Sequence, residues 1–311
     1  MYLCETYIKQ SLRMKQLSIS ALLFSLFLLT ACGGNKQTSE NIVSVTIEPQ
    51  RYFAERIAGD KFKINTVVPS GQNFEEYSPT AQQMIQVSKS IAYLSIGNLP
   101  FEERWVEMAK ENNKGIKVFD VSDGVNLIEY EEHHHDHCEE HHHHHHSHVG
   151  ADPHIWSSIS GAKAIAWNTF MAFVELDREN TQYYNDNYNL LMEKIENTEA
   201  SVNRILSSLE NRTFIIYHPA LSYFANEFGL TQLCIELEGK EPSPAQLKRL
   251  IDAAKESDAQ IVFIQQEFDK RSAELIAKET NCRLVVINPL NYNWSEEIIH
   301  IAQSLADGKA N

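Results

Sequence analysis

Positive charge is in short supply: 27 Lys and Arg against 42 Asp and Glu leave a formal charge of −15 on 311 residues. Phosphate backbones and anionic headgroups are held by clustered Lys and Arg, so neither nucleic acid nor an acidic membrane surface fits as an electrostatic partner, and a cationic one fits better. Cysteine is sparse as well. None of the five forms a Cys-x-x-Cys pair, which speaks against a thiolate zinc site and a thioredoxin-type motif. No His-Glu-x-x-His segment is present, so a common signature of zinc hydrolases is missing. The apolar run Leu17 to Leu29 is too short to span a bilayer comfortably. What is present suffices for a folded core: 43% hydrophobic and 22% charged residues, over a length that suggests two domains.

The short apolar run follows Lys15 and ends in Leu29-Thr30-Ala31-Cys32. A positive flank, an apolar stretch and small residues make a signal peptide. Leu-x-Ala-Cys resembles the lipobox of bacterial lipoproteins, which implies cleavage before Cys32 and lipidation of its thiol. Met14 stands directly at this signal and makes a better start than Met1. Residues 33–40 are small and polar, as a flexible tether would be. Of the remaining thiols, Cys234 and Cys282 lie in apolar, strand-like runs where buried free Cys is common, although a bridge between them is possible in an oxidising compartment.

From residue 41 onward, β-branched runs alternate with amphipathic ones. Ile42–Ile47, Lys63–Val68, Ile91–Ser95 and Ile116–Val121 read as strands, and the pattern resumes with Thr213–Tyr217, Leu233–Leu237, Ile261–Gln265 and Leu284–Ile287. The alternation predicts an α/β protein of two Rossmann-like lobes, 41–178 and 210–311, each on a parallel four-stranded sheet. Between them, 179–209 lacks Gly and Pro. Its apolar residues Tyr184, Tyr188, Leu191, Ile195, Val202, Ile205 and Leu209 recur at helical spacing, with one gap of seven across Thr198. One helix of about eight turns should join the lobes, and a helical link predicts limited hinge closure.

Histidine is abundant but concentrated. His133, His134, His135, His137, His141, His142, His143, His144, His145, His146 and His148 fall in an acidic stretch spanning 129–148, which cannot build a packed core and reads as a loop. Only His154, His218 and His300 lie elsewhere. Open α/β sheets bind ligands beyond the carboxyl ends of their strands. Four segments occupy such places or follow the His-rich loop: Pro69 to Thr80 with Glu75 and Glu76, Asp152-Pro153-His154-Ile155-Trp156, Tyr217-His218-Pro219, and Asn288-Pro289-Leu290. Taken singly, His154 could merely cap a helix starting near Ser157, and His218 could be a satisfied core histidine. His300 reads as surface, Trp156 and Tyr77 as packing. Gln265, Gln266 and Glu267 end a strand facing the cleft, which fits a supporting role or plain solvent exposure.

These segments, with the His-rich insertion just before Asp152 and Glu241-Pro242-Ser243 before a helix, resemble in order the solute-binding proteins of zinc and manganese ABC importers, the ZnuA and TroA type. The resemblance covers nearly the whole chain after the signal. It implies that His154 and His218 are metal ligands from the two lobes. A third ligand, often His, falls at Glu75 with Glu76 as the rival; a fourth, often Asp, falls at Asn288.

Two imidazoles, a carboxylate and water suit four-coordinate Zn²⁺, whereas Mn²⁺ prefers more oxygen, and imidazole-rich loops favour zinc. The expected function is therefore extracytoplasmic capture of Zn²⁺, with Mn²⁺ as the alternative cargo, and delivery to an ABC permease and its ATPase by a monomer anchored through Cys32. The exported lipoprotein would face the periplasm or the cell surface. A secreted zinc hydrolase is a rival, since catalytic zinc uses similar ligands. Surface metal sequestration or adhesion is another.

Overall fold

The computed structural model describes residues 41–129, 150–236, 240 and 242–308. Cys32 and its tether, the histidines of the 129–148 stretch and Glu241 lie outside the described residues. No helix among the described residues is long and apolar enough to cross a membrane.

The first lobe alternates β1 (Ile42–Val45), α1 (Glu48–Ala58), β2 (Lys63–Thr66), α2 (Ala81–Ser88), β3 (Ala92–Ser95), α3 (Pro100–Asn112) and β4 (Lys117–Asp120). A short 3-10 turn, Ile155–Ser157, leads into α4 (Ile159–Leu176). After a second 3-10 turn at Arg178–Asn180, α5 (Thr181–Leu206) crosses to the second lobe. That lobe comprises β5 (Thr213–Ile216), α6 (Ser222–Phe228), β6 (Thr231–Cys234), α7 (Pro244–Glu256), β7 (Ile261–Gln265), α8 (Arg271–Thr280), β8 (Arg283–Ile287) and α9 (Trp294–Asp307).

Both sheets are parallel, in the orders β2-β1-β3-β4 and β6-β5-β7-β8. The architecture is the expected pair of α/β lobes joined by a long helix. Strands β1, β2, β4 and β5 end one or two residues earlier than the apolar runs suggest, because Ile47, Val67, Val68, Val121 and Tyr217 are buried beyond the ladders. The largest difference is β6, expected at Leu233–Leu237. It begins at Thr231 on a sheet edge, where polar residues are tolerated, and Ile235 and Glu236 already belong to the following loop.

The linking helix follows its hydrophobic period. Tyr184, Leu191, Ile195, Val202 and Leu206 are buried, and Thr198 fills the gap of seven because its hydroxyl donates to Lys194 O of its own helix, 2.9 Å away. The helix packs against α1, α4 and α9. A single apolar core therefore runs from β1 and β3 through these helices to Phe214, Ile216 and Phe263 of the second sheet. The alternate residues Ile215, Val262 and Ile264 point to that sheet's other face and form a smaller core with Ala273 and Ile276 of α8. Cys234 and Cys282 form no disulfide. Cys234 ends β6 at one edge of the four-stranded sheet and Cys282 directly precedes β8 at the other, at least about 14 Å away across three strand spacings, so they cannot bridge.

Candidate metal site

The carboxyl ends of both sheets face one small cavity, and three chain segments bring donors to it. The first is the loop after β2. Thr80 caps α2 in a reciprocal box with Gln83, whose amide nitrogen also donates to Val67 O at 2.9 Å and to Tyr77 Oη at 2.8 Å. The loop is thus pinned at both ends. Within it, Asn73 Oδ1 accepts from Glu75 N at 3.0 Å, and Phe74 packs edge-on against the His154 ring. This turns Glu75 inward and leaves Glu76 exposed.

The second segment is Asp152 to Trp156. His154 is 1% exposed and does not cap the following helix, since Ser158 performs that role through Gly161 N. Instead, Asp152 Oδ1 accepts from both His154 N and His154 Nδ1, each at 2.8 Å. Tyr223 of the second lobe holds the segment from across the cleft, donating to Asp152 O at 2.6 Å and accepting from Ile128 N at 3.1 Å. Trp156 donates its indole N–H to Pro289 O at 2.9 Å.

The third segment follows β5. Gln265, buried at the end of β7, accepts from His218 N at 3.3 Å and donates to His218 O at 2.7 Å. The His218 ring stacks on Phe268 with 21° between planes, and its Nδ1 lies 3.2 Å from Glu236 Oε2. Burial alone pushes this imidazole down, but Glu236 and Glu75 outweigh burial and raise it from 6.5 to about 10.

The outcome is a compact trio. Glu75 Oε1 lies 3.6 Å from His218 Nε2 and 4.0 Å from His154 Nε2, and among the described residues Glu75, His154 and His218 form the one His/Cys/Asp/Glu group whose donor atoms all fall within 4.8 Å. Both Nε2 atoms are buried without a hydrogen-bond partner. Donors on a tetrahedral zinc ion stand ~3.3 Å apart for bonds of ~2.0–2.1 Å, so the Glu75–His218 and Glu75–His154 edges would shorten by ~0.3 and ~0.7 Å as the trio closes on an ion. A carboxylate on each Nδ1 fixes the tautomer that leaves Nε2 free to bind metal. The cavity holds about 10 Å³, room for one water-sized body.

The segment around Asn288 is arranged differently. Pro289 and Leu290, which follow Asn288 directly, line the cavity. Asn288 N donates to Glu297 Oε1 at 2.7 Å, and its side-chain oxygen is buried without a partner. Glu267 does line the cavity, beside both imidazoles. His300 is 47% exposed at its side chain on α9, with Nδ1 3.5 Å from Glu297 Oε1, and Tyr77 packs on Trp105. Glu236 was not legible from the sequence, although a Glu inside the apolar run Cys234-Ile235-Glu236-Leu237 signals a buried charge that needs a partner.

Residues 43–307 match the family described as zinc-uptake complex component A, periplasmic. The high-affinity zinc uptake system protein ZnuA of Bacillus subtilis (strain 168) is 31% identical over 87% of this chain and 88% of its own length. The manganese ABC transporter substrate-binding lipoprotein PsaA of Streptococcus pneumoniae is 25% identical over 84% of each. A crystal structure of ZnuA superposes with a TM-score of 0.78 at 34% identity, covering 87% of this chain and 100% of that one. The chain belongs to the zinc-uptake complex component A family, the metal-binding substrate-binding proteins of ABC importers.

Proposed function

We propose that the chain captures Zn²⁺ outside the cytoplasm on Glu75, His154 and His218 and delivers it to its ABC importer. The family consists of solute-binding proteins that work with a permease and an ATPase, and is not a family of enzymes. The observation that carries the zinc reading is the pair of buried Nε2 atoms that face one carboxylate, Glu75. Two imidazoles with one carboxylate favour zinc over manganese, which prefers more oxygen donors. The similarity to a zinc-uptake protein supports the same cargo, and the similarity to a manganese-binding lipoprotein keeps Mn²⁺ as the alternative. A cavity with room for little more than an ion also argues against a hydrolase reading.

Export and anchoring through Cys32 rest on the lipobox, and the lipoprotein relatives agree with it. The anchored chain acts as a monomer, with its tether at 33–40. The histidines between 129 and 148 collect zinc weakly and raise its local concentration beside the tight site. The test is calorimetric titration with zinc and with manganese of the unaltered chain, a 131–148 deletion, and His154→Ala combined with His218→Ala. A tight one-to-one zinc site should survive the deletion and vanish in the double variant. Tight binding that follows the deleted segment instead would refute the assignment.

A further inference from the structure

Three protein donors leave a four-coordinate zinc ion one short. The turn after β7 offers a remedy. Its Gln265 is locked to the backbone of His218 by two hydrogen bonds, and its Phe268 is stacked on the His218 ring. Phe268 N also donates to Gln265 O at 3.2 Å, closing the turn. Glu267 stands between these two anchors, so the structure that orients His218 also orients Glu267. It lines the same cavity as His154 and His218, half-buried. Among the described residues its carboxylate forms no ion pair and no hydrogen bond to another side chain. Burial raises its pKa, and the two imidazoles oppose that rise. Opposite this turn, the β2 loop comes close at Gly71, whose φ of +79° favours glycine and where a Cβ would stand 3.5 Å from Gln266 Nε2.

We propose that Glu267 is the fourth protein ligand, rotating into the ion's coordination sphere when metal enters. The proposal rests on the reading of Glu75, His154 and His218 as the metal site. Glu267 lies outside the close trio, so it needs a side-chain rotation to reach the ion, and it has no side-chain partner to give up. Asp152 and Glu236 stay engaged on the imidazole Nδ1 atoms, so neither is free to complete the set. The role expected at Asn288 thus moves to a different turn of the same lobe.

The experiment uses the full chain and its Glu267→Gln, Glu267→Asp, Glu75→Gln and His154→Ala variants. Zinc affinity is measured by chelator competition, the visible absorption of the first equivalent of Co²⁺ reports coordination, and thermal unfolding without added metal checks the fold. Glu267→Gln should weaken zinc by about a hundredfold and change the Co²⁺ spectrum. Glu267→Asp, which keeps the charge but loses reach, should behave similarly. Retention of affinity and spectrum in Glu267→Gln, with both lost in Glu75→Gln and His154→Ala, overturns the fourth ligand and leaves the site standing. An unchanged spectrum with weakened affinity in Glu267→Gln, rescued by Glu267→Asp, also overturns it, since the residue would then act through charge alone. If Glu75→Gln and His154→Ala bind as tightly as the unaltered chain, the site itself is misassigned.

Discussion

At the scale of single residues, the site is governed by what the far nitrogen of each imidazole touches. His218 with no ion bound holds a proton up to about pH 10, because Glu236 and Glu75 prevail over burial. Metal needs the lone pair that this proton occupies, so zinc binding must expel it, and affinity should fall about tenfold for each unit that pH drops below that value. Folding responds with the opposite sign. A raised imidazole pKa stabilises the empty protein fully below about 6.5 and progressively less as pH rises towards 10. Calorimetry at pH 8 in buffers of different ionisation enthalpy should count about one proton released per tight zinc, and fewer in Glu236→Gln. Histidines near their reference value are already neutral at that pH and contribute little. A count of zero in the unaltered chain would sink this account of His218. Sequence order was enough to single out His154, His218 and the Glu75–Glu76 pair for attention. It placed the third ligand at Glu75 with Glu76 as the rival, but by order alone; the physical reason lies in an Asn73 turn and in Phe74 packing on His154. Nor could it expose Glu236, whose role exists only once β5 and the β6 loop lie side by side.

At the scale of elements, the close join between the Asp152–Trp156 segment and α4 sets the aim of His154. Gly161, in the first turn of α4, has no room for a methyl group: a Cβ there would stand within 1.9 Å of Ile155 O. That carbonyl is one residue from His154 and also accepts from Ser158 Oγ at 3.0 Å. Gly161→Ala should therefore cost about 1–3 kcal/mol of stability, the range for overpacking a tight site. It should also weaken zinc by more than about tenfold, since a carboxylate-oriented ligand is sensitive to small displacements. Denaturant unfolding and zinc competition on the same preparation test both. A variant with unaltered stability and affinity would show that the segment yields freely. The elements themselves were the more legible part of the sequence. β-branched runs located every strand and helical spacing the linking helix, because burial writes directly into composition. Their ends were less legible, as β6 shows: a hydrogen-bond ladder stops where the neighbouring strand stops, and apolar residues beyond it can be buried for other reasons.

At the scale of the molecule, the question is how much the lobes move when the ion arrives. The main core is continuous from the first sheet to the second. Several bonds cross between lobes near the site: Tyr52 Oη to Ser295 Oγ at 2.9 Å, Tyr292 Oη to Glu55 Oε2 at 2.7 Å, and Trp294 Nε1 to Trp156 O at 2.6 Å. The linking helix, about 39 Å long at 1.5 Å per residue, is packed against α1, α4 and α9 and offers no flexible strand pair to bend. Opening the cleft as two rigid bodies would expose Trp156 and Trp294 and break those bonds together. Loading should instead act on loops, so that residues 67–80, 217–221 and 265–268 lose amide exchange on binding zinc while α5 and α9 remain equally protected throughout. Small-angle scattering of empty and loaded protein should then agree to within about 1 Å in radius of gyration, far less than a hinge opening would produce. A larger contraction, together with slowed exchange along α5, would mean that the helix bends and that the importer reads lobe closure. Without it, the signal left for the importer to recognise is the local ordering of loops around the ion.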